Sequence, residues 1–271
     1  LLGAGLAALL VAVSQGARWG LSPRLVGLLA LAVVLLVGWA RHELRAEAPL
    51  VDLRLLRSRA VLTAAVTGVL AGVGMYLLLS IVTRFVQTPE DAGYGFGAST
   101  VVAGLVLLPF SLTSVVASRV APLIARHTTP TAVLPLGSAV FLAAALAFAL
   151  VHDALWQVFV VMGIAGLGVG CTFAALPGLI LPAVPASETG SAMGFNQVLR
   201  MVGFSVGSAL SATVLELHTP RGAALPTEDG YLAAGLVCAA VWVLAGLLSA
   251  VLPGRPGRAA RPSPALATVP P

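Results

Sequence analysis

Five stretches of this chain, residues 60–83, 92–118, 128–151, 154–187 and 230–254, contain no Asp, Glu, Lys or Arg. A bilayer hydrocarbon core about 30 Å thick is crossed by about 20 helical residues, so each stretch is long enough to span it. Backbone N–H and C=O groups in lipid find no water to bond, which leaves helices or a closed barrel as spanning structures. Barrel strands alternate apolar and polar residues over about ten positions. These stretches are apolar on every face, which excludes the barrel. Only 9% of the 271 residues are charged, whereas a soluble domain carries about a quarter. The chain reads as an all-α membrane protein whose main partner is the lipid bilayer.

A formal net charge of +5 invites a nucleic-acid reading, but all fifteen basic residues are arginines, and they cluster in the gaps between apolar runs. Membrane proteins distribute charge in this way, and no nucleic-acid partner is expected. Cys171 and Cys238 lie inside apolar runs and read as small buried hydrophobes rather than a disulfide framework. His42, His127, His152 and His218 fall outside the expected spans and are too scattered for a metal-ligand cluster. The sequence carries no phosphate-binding loop and no nucleophile–base pairing. Neither an enzyme, a cofactor nor a metal site is expected.

Hydropathy places eight spans, at about 1–14, 23–40, 60–83, 98–118, 131–151, 155–181, 190–216 and 231–252. The chain divides into two helices (1–40), a charged loop (41–59), a six-helix unit (60–252) and a Pro- and Arg-rich tail (253–271) expected to be disordered. It opens on Leu1-Leu2-Gly3-Ala4, inside apolar sequence, without the basic region and cleavage site of a signal peptide. The expectation is a first helix cut short, within a longer chain. Orientation follows from arginine asymmetry. With the tail in the cytoplasm, that side receives Arg41, Arg45, Arg54, Arg57, Arg59, Arg119, Arg126, Arg255, Arg258 and Arg261, against Arg18, Arg24, Arg84 and Arg221 outside.

Three stretches go beyond hydropathy. One is Pro49-Leu-Val-Asp52-Leu-Arg54-Leu-Leu-Arg57-Ser-Arg59, a short amphipathic segment before a span. The second is Gly104-Leu-Val-Leu-Leu-Pro109. The third runs from Pro185 through Glu188, Gly190, Gly194, Asn196, Gln197, Arg200 and Gly203 to Gly207. Together they resemble the fourteen-span drug:proton antiporter branch of the major facilitator superfamily (EmrB/QacA-type). The resemblance implies the C-terminal part of such a protein, with residues 1–40 as the linker pair of helices and 60–252 as the C-terminal half of the fold. It further implies a multi-pass cell-membrane antiporter for drug efflux, exporting amphipathic or cationic organic compounds against protons by alternating access. The partner would be a missing N-terminal half; the alternative reading is a non-transporting membrane subunit or an inert truncated fragment. The family's cytoplasmic Gly-x-x-x-Asp-Arg-x-Gly loop is degenerate here, with Pro122, Arg126, His127 and Thr129 at the corresponding positions, so no gating network through that Asp is carried over.

Arg200 lies about ten residues into its span, roughly 15 Å deep at 1.5 Å per residue. A charge there costs at least about 2.5–3.5 kcal/mol on insertion scales and must face protein or a wet cavity. Asn196, Arg200, Gly203 and Gly207 are spaced to form one helical stripe. The functional reading is a cavity-lining face of Asn196, Gln197 and Arg200 that meets substrate or a coupling carboxylate. The structural alternative is an arginine bonded to neighbouring carbonyls to hold helices together. Gly163, Gly166, Gly168, Gly170, Gly203 and Gly207 are expected to permit close helix approach, and Pro109 and Pro177 to kink their spans. Glu188 suits a helix N-terminus; Glu216 and Arg84 read as solvated or interfacial end residues.

The orientation is directly testable. With Cys171 and Cys238 removed, Asp153→Cys and Arg221→Cys are expected to react with a membrane-impermeant thiol reagent in intact cells, and Ser58→Cys is not. Labelling of position 58 alone reverses the orientation.

Overall fold

The computed structural model describes residues 1–19, 22–45, 54, 58–127 and 130–251. The tail at 253–271, most of the segment 46–57 and Thr129 lie outside the described residues. The α-helices are α1 (Leu2–Trp19), α2 (Pro23–Arg45), α3 (Arg59–Gln87), α4 (Thr100–Val106), α5 (Leu108–His127), α6 (Pro130–Leu150), α7 (Leu155–Ile180), α8 (Thr189–Leu217) and α9 (Glu228–Val251). Among the described residues no strand occurs. Seven helical segments are long and apolar enough to cross a membrane, with α4 and α5 together forming one of them, and a shorter apolar stretch covers Leu2–Ala12. The all-α membrane architecture expected from the sequence is observed.

Several helix ends differ from expectation: α1 runs to Trp19 rather than about residue 14, and α3 to Gln87 rather than about 83. Helix α2 runs to Arg45 rather than stopping before Arg41, so His42 is helical and not in a loop. His42 and Arg45 occupy the last turn, where positive charge meets the negative end of the helix dipole. Arg54 Nη2 also donates to the Leu44 carbonyl at 2.9 Å, satisfying one of the acceptors a helix end leaves open. Helix α5 likewise continues to His127, through Pro122, beyond the expected end near Ser118. Pro122 has no N–H for the Ser118 carbonyl, but Ser118 is exposed and the helix tolerates the loss.

The fourth span is broken at Leu107, between α4 and α5. Pro109 follows two residues later and offers no N–H to the Leu105 carbonyl. Leu107 instead closes a tighter turn onto Gly104 O at 3.1 Å. Ser99 caps the start of α4 by accepting from Val102 N.

Helix α3 packs on α8 and α9, α7 on α5 and α6, and α6 on α9; α1 pairs with α2 and rests on α8. Lipid tails are as apolar as leucine, so helices gain little by hiding apolar surface and associate through close packing. The seams accordingly run along glycines. In the α3–α8 seam a Cβ added at Gly203 or Gly207 would collide with the carbonyls of Val69 or Val73, and one at Gly72 would lie 2.7 Å from the Arg200 carbonyl. In the α5–α7 seam a Cβ at Gly166 would meet Thr113 Oγ1 and the Phe110 carbonyl, and one at Gly170 would lie 2.5 Å from Ser114 O. Thr113 Oγ1 donates across this seam to Gly163 O at 2.8 Å. Between α3 and α9, Gly74 leaves room for the Trp242 indole, which stacks on Phe141 with ring centroids 4.2 Å apart.

At one end of the bundle the turns after α3 and α6 and the start of α9 converge on Phe85. Its ring contacts Tyr94, Phe96, Phe148, His152 and Tyr231. The Tyr94 hydroxyl donates to the Pro226 carbonyl. His152 Nε2 lies 3.2 Å from Glu228 Oε1. The Glu228 side chain is 56% exposed, and ion pairs so exposed contribute only about 0–1 kcal/mol. The buried rings hold this end together.

The glycines of α7 separate two effects. A Cβ at Gly163 would find its nearest neighbour, Pro109 Cβ, at 3.8 Å, an ordinary contact. Gly163→Ala is expected to be neutral or stabilising in a detergent melting assay, because Ala is favoured over Gly in a helix by up to about 1 kcal/mol. Gly166→Ala and Gly170→Ala are expected to lower the melting temperature, with overpacking costs of about 1–3 kcal/mol. Equal behaviour of the three variants would contradict the seam geometry.

Candidate functional site

Helix α8 holds Arg200, the charged residue deepest within any described span. Eleven residues separate it from Thr189, which is about 17 Å at 1.5 Å per residue. The carboxylates at the two ends of the helix, Glu188 and Glu216, are farther away than any side chain reaches. Among the described residues no carboxylate pairs with Arg200.

The stripe expected on α8 is divided by the fold. Gly203 and Gly207 are consumed by the seam with α3. Asn196 joins them on that side: it is 8% exposed, and a Cβ on Gly68 would lie 3.4 Å from its Nδ2. Its Nδ2 is buried without a hydrogen-bond partner. The Arg200 side chain leaves the seam. Its Nη2 donates to Gln197 Oε1 one turn back, and its guanidinium carbon stands 4.4 Å from the centroid of the Phe173 ring of α7 and 6.0 Å from that of Phe204. Nε is buried without a partner. The structure thus brings Gln197 and Arg200 together and sets Asn196 behind them.

The environment offsets the cost of this charge only in part. A hydrogen bond to a charged group contributes about 1.5–3 kcal/mol, and a desolvated cation–π contact about 2 kcal/mol. A guanidinium nevertheless carries five N–H donors, and among the described residues Gln197 is the acceptor they reach. The site is a cation with unused donors, walled by aromatic rings.

Phe204 extends that wall. It stacks on Tyr76 of α3 with centroids 5.0 Å apart, and both rings border an open groove of about 560 Å³ between α1, α3 and α8 that Met201, Ser205 and Ser208 also line, with Phe204 standing between it and Arg200. Sequence reasoning missed these rings. Phe204 stands four residues after Arg200, on the same helical face, and could have been found by that spacing. The pair Gly68 and Gly72, also four apart, was missed as well and could have marked the α3 side of the seam by the same spacing. Phe173 and Tyr76 lie on other helices and gave no local signal.

Pro109 and Gly163 sit across from one another in the α5–α7 seam, with Gly166 and Gly170 further along it. Glu188 is the residue before α8 and makes no side-chain cap bond, and its Oε2 is buried without a partner. Glu216 and Arg84 are exposed near helix ends.

A bundle of long apolar helices joined through glycine seams, with one deep cation, defines a polytopic α-helical membrane protein. The profile of the Major Facilitator Superfamily matches residues 1–208, and the chain belongs to that family. It is similar to a tetracycline resistance determinant of Streptomyces rimosus, 26% identical over 235 residues, covering 81% of this chain and 66% of the relative. It is similar to the multidrug resistance protein Stp of Mycobacterium tuberculosis, 27% identical over 236 residues, covering 83% of this chain and 43% of that protein. A tetracenomycin C resistance and export protein of Streptomyces glaucescens is 28% identical over 204 residues, covering 73% of this chain and 36% of the relative. The chain therefore spans between about a third and two thirds of the length of these relatives.

Arg200 leaves the α3–α8 seam without bonding a carbonyl across it, so its removal is expected to leave the packing intact. Arg200→Gln should keep near-normal membrane abundance and an unchanged or slightly raised melting temperature in detergent. A collapse of both would make Arg200 part of the scaffold.

Proposed function

We propose that this chain is the C-terminal part of a proton-coupled exporter of amphipathic organic compounds, in the fourteen-span drug-antiporter branch of its superfamily. It sits in the cell membrane with its C-terminus in the cytoplasm. The deep Arg200–Gln197 pair, with the Phe173 and Phe204 rings against the guanidinium, is the observation that carries this reading. A polar group at such depth is expensive and marks a pathway more often than a scaffold. The resistance and export functions named for the relatives point the same way.

In this reading residues 60–252 form one half of the transporter, and helices from an N-terminal half close the cavity from the other side. The exposed flank of α5, with Leu112, Val115 and Val116, suits such an apposition. Alternating access then swings the two halves about a central site near the bilayer midplane. The tight seams make this half a rigid body, while Pro109 and the break at Leu107 supply the place where α4 and α5 adjust. Arg200 and Gln197 face the transported compound, and Asn196 braces them from behind. Proton coupling rests on the resemblance to the antiporter branch; the carboxylates for it would lie in the other half.

The complete gene product, expressed in a drug-sensitive host, is expected to lower accumulation of at least one lipophilic antibiotic, and a protonophore should abolish the effect. Residues 1–271 expressed alone should give no efflux. Efflux by the shorter chain would refute the two-half reading, and efflux that survives the protonophore would refute proton coupling.

A further inference from the structure

We propose that the group received at Arg200 is an ionised oxygen acid on an aromatic compound, so that the exporter takes organic anions at this site in place of lipophilic cations. The inference rests on the transport reading above and narrows its substrate class.

Three observations converge on it. The guanidinium has no counter-charge: among the described residues no carboxylate pairs with it, and its one hydrogen-bond acceptor is a neutral amide, Gln197. At membrane depth an uncompensated cation repels any cationic ligand, and at an effective dielectric of about 20 two like charges 4 Å apart repel by about 4 kcal/mol. The same positive potential draws an anion. Carboxylate and phenolate oxygens also match the planar donor fork of arginine, and the donors left over are the ones such a group would use.

The second observation is within the guanidinium itself. Its Nε is buried without a hydrogen-bond partner, and every unused hydrogen on the group is a donor. An acceptor is what this end of the site lacks.

The third is the adjoining space. Phe204 lies beside the guanidinium and also borders the open groove of about 560 Å³, where Tyr76 stacks on it. A volume of this size falls within the range of small-molecule sites, about 300–1,000 Å³. A planar aromatic body against Tyr76 and Phe204 places an acidic substituent toward Arg200. A ligand with an aliphatic body would gain less, because offset-stacked ring pairs contribute about 0.5–1.5 kcal/mol beyond area burial.

The anionic oxygen has two sources, the transported compound or a carboxylate from another part of the transporter, and two dyes separate them. Fluorescein is a xanthene anion, and a rhodamine ester is a cation on the same ring system. Efflux of each is measured from cells carrying the complete gene product, as wild type, Arg200→Gln or Arg200→Lys, with protein levels matched by immunoblot. We expect the wild type to export fluorescein. Arg200→Gln should raise its KM by roughly ten- to a hundredfold, the equivalent of one charged hydrogen bond of about 1.5–3 kcal/mol. Arg200→Lys should recover part of the loss. Rhodamine ester efflux should be weak in the wild type and equal or better in Arg200→Gln, where the repulsive charge is gone. If Arg200→Gln abolishes efflux of both dyes at unchanged KM, the carboxylate belongs to the transporter and the substrate assignment is overturned. Preferential export of the rhodamine ester by the wild type, lost in Arg200→Gln, overturns it as well. Export of neither dye nor any antibiotic by the wild type refutes the transport reading itself.

Discussion

The approach of α8 to α3, glycine against carbonyl, sets the position of everything near Arg200. Gly203 and Gly207 leave no space for a Cβ against Val69 and Val73, and Gly72 leaves none against the Arg200 carbonyl. A backbone that close has no freedom to rotate without collision. The seam therefore fixes which way residue 200 leaves the helix, and its side chain reaches the rings of Phe173 and Phe204. The same device repeats between α5 and α7 through Gly166 and Gly170. In a medium where apolar surface has nothing to escape from, contact distance is the main source of association.

Charge follows from the same constraint. The described spans are almost free of ionisable groups, and those at their ends are mostly exposed or at turns, Glu43 in the last turn of α2 being buried. Arg200 stands apart from this distribution. Its setting offsets its burial through one amide, one well-placed ring and a second more distant one, leaving donors in reserve. A purely structural arginine would spend those donors on carbonyls across the seam. The Arg200 carbonyl takes part in the seam; its guanidinium does not.

Much of this was legible beforehand, and the limits are instructive. The apolar runs identified the spans because each must cross about 30 Å with its backbone bonds closed internally. Their ends were less legible. Arginine and histidine continue α2 to Arg45, since a basic last turn suits the helix dipole, and Pro122 did not stop α5. Among the glycines, Gly163 reads like its neighbours by spacing, yet it has ordinary room while Gly166 and Gly170 have none. Periodicity says which residues share a face, not how near the opposing helix comes.

The sequence by itself determined that the chain is a helical membrane protein, roughly where its spans run and that Arg200 lies deep within one of them. Those properties depend on composition over one helix length, which a linear string displays. Only the tertiary structure decided what Arg200 meets. Phe173, Tyr76 and Gly72 come from α7 and α3, and their distances to α8 depend on helix crossings set by steric contact between segments far apart in the chain. The division of the Asn196–Gly207 stripe into a packed side and a free guanidinium has the same origin. Sixty degrees of helical arc holds all four residues, but the width of the opposing helix decides which of them it covers.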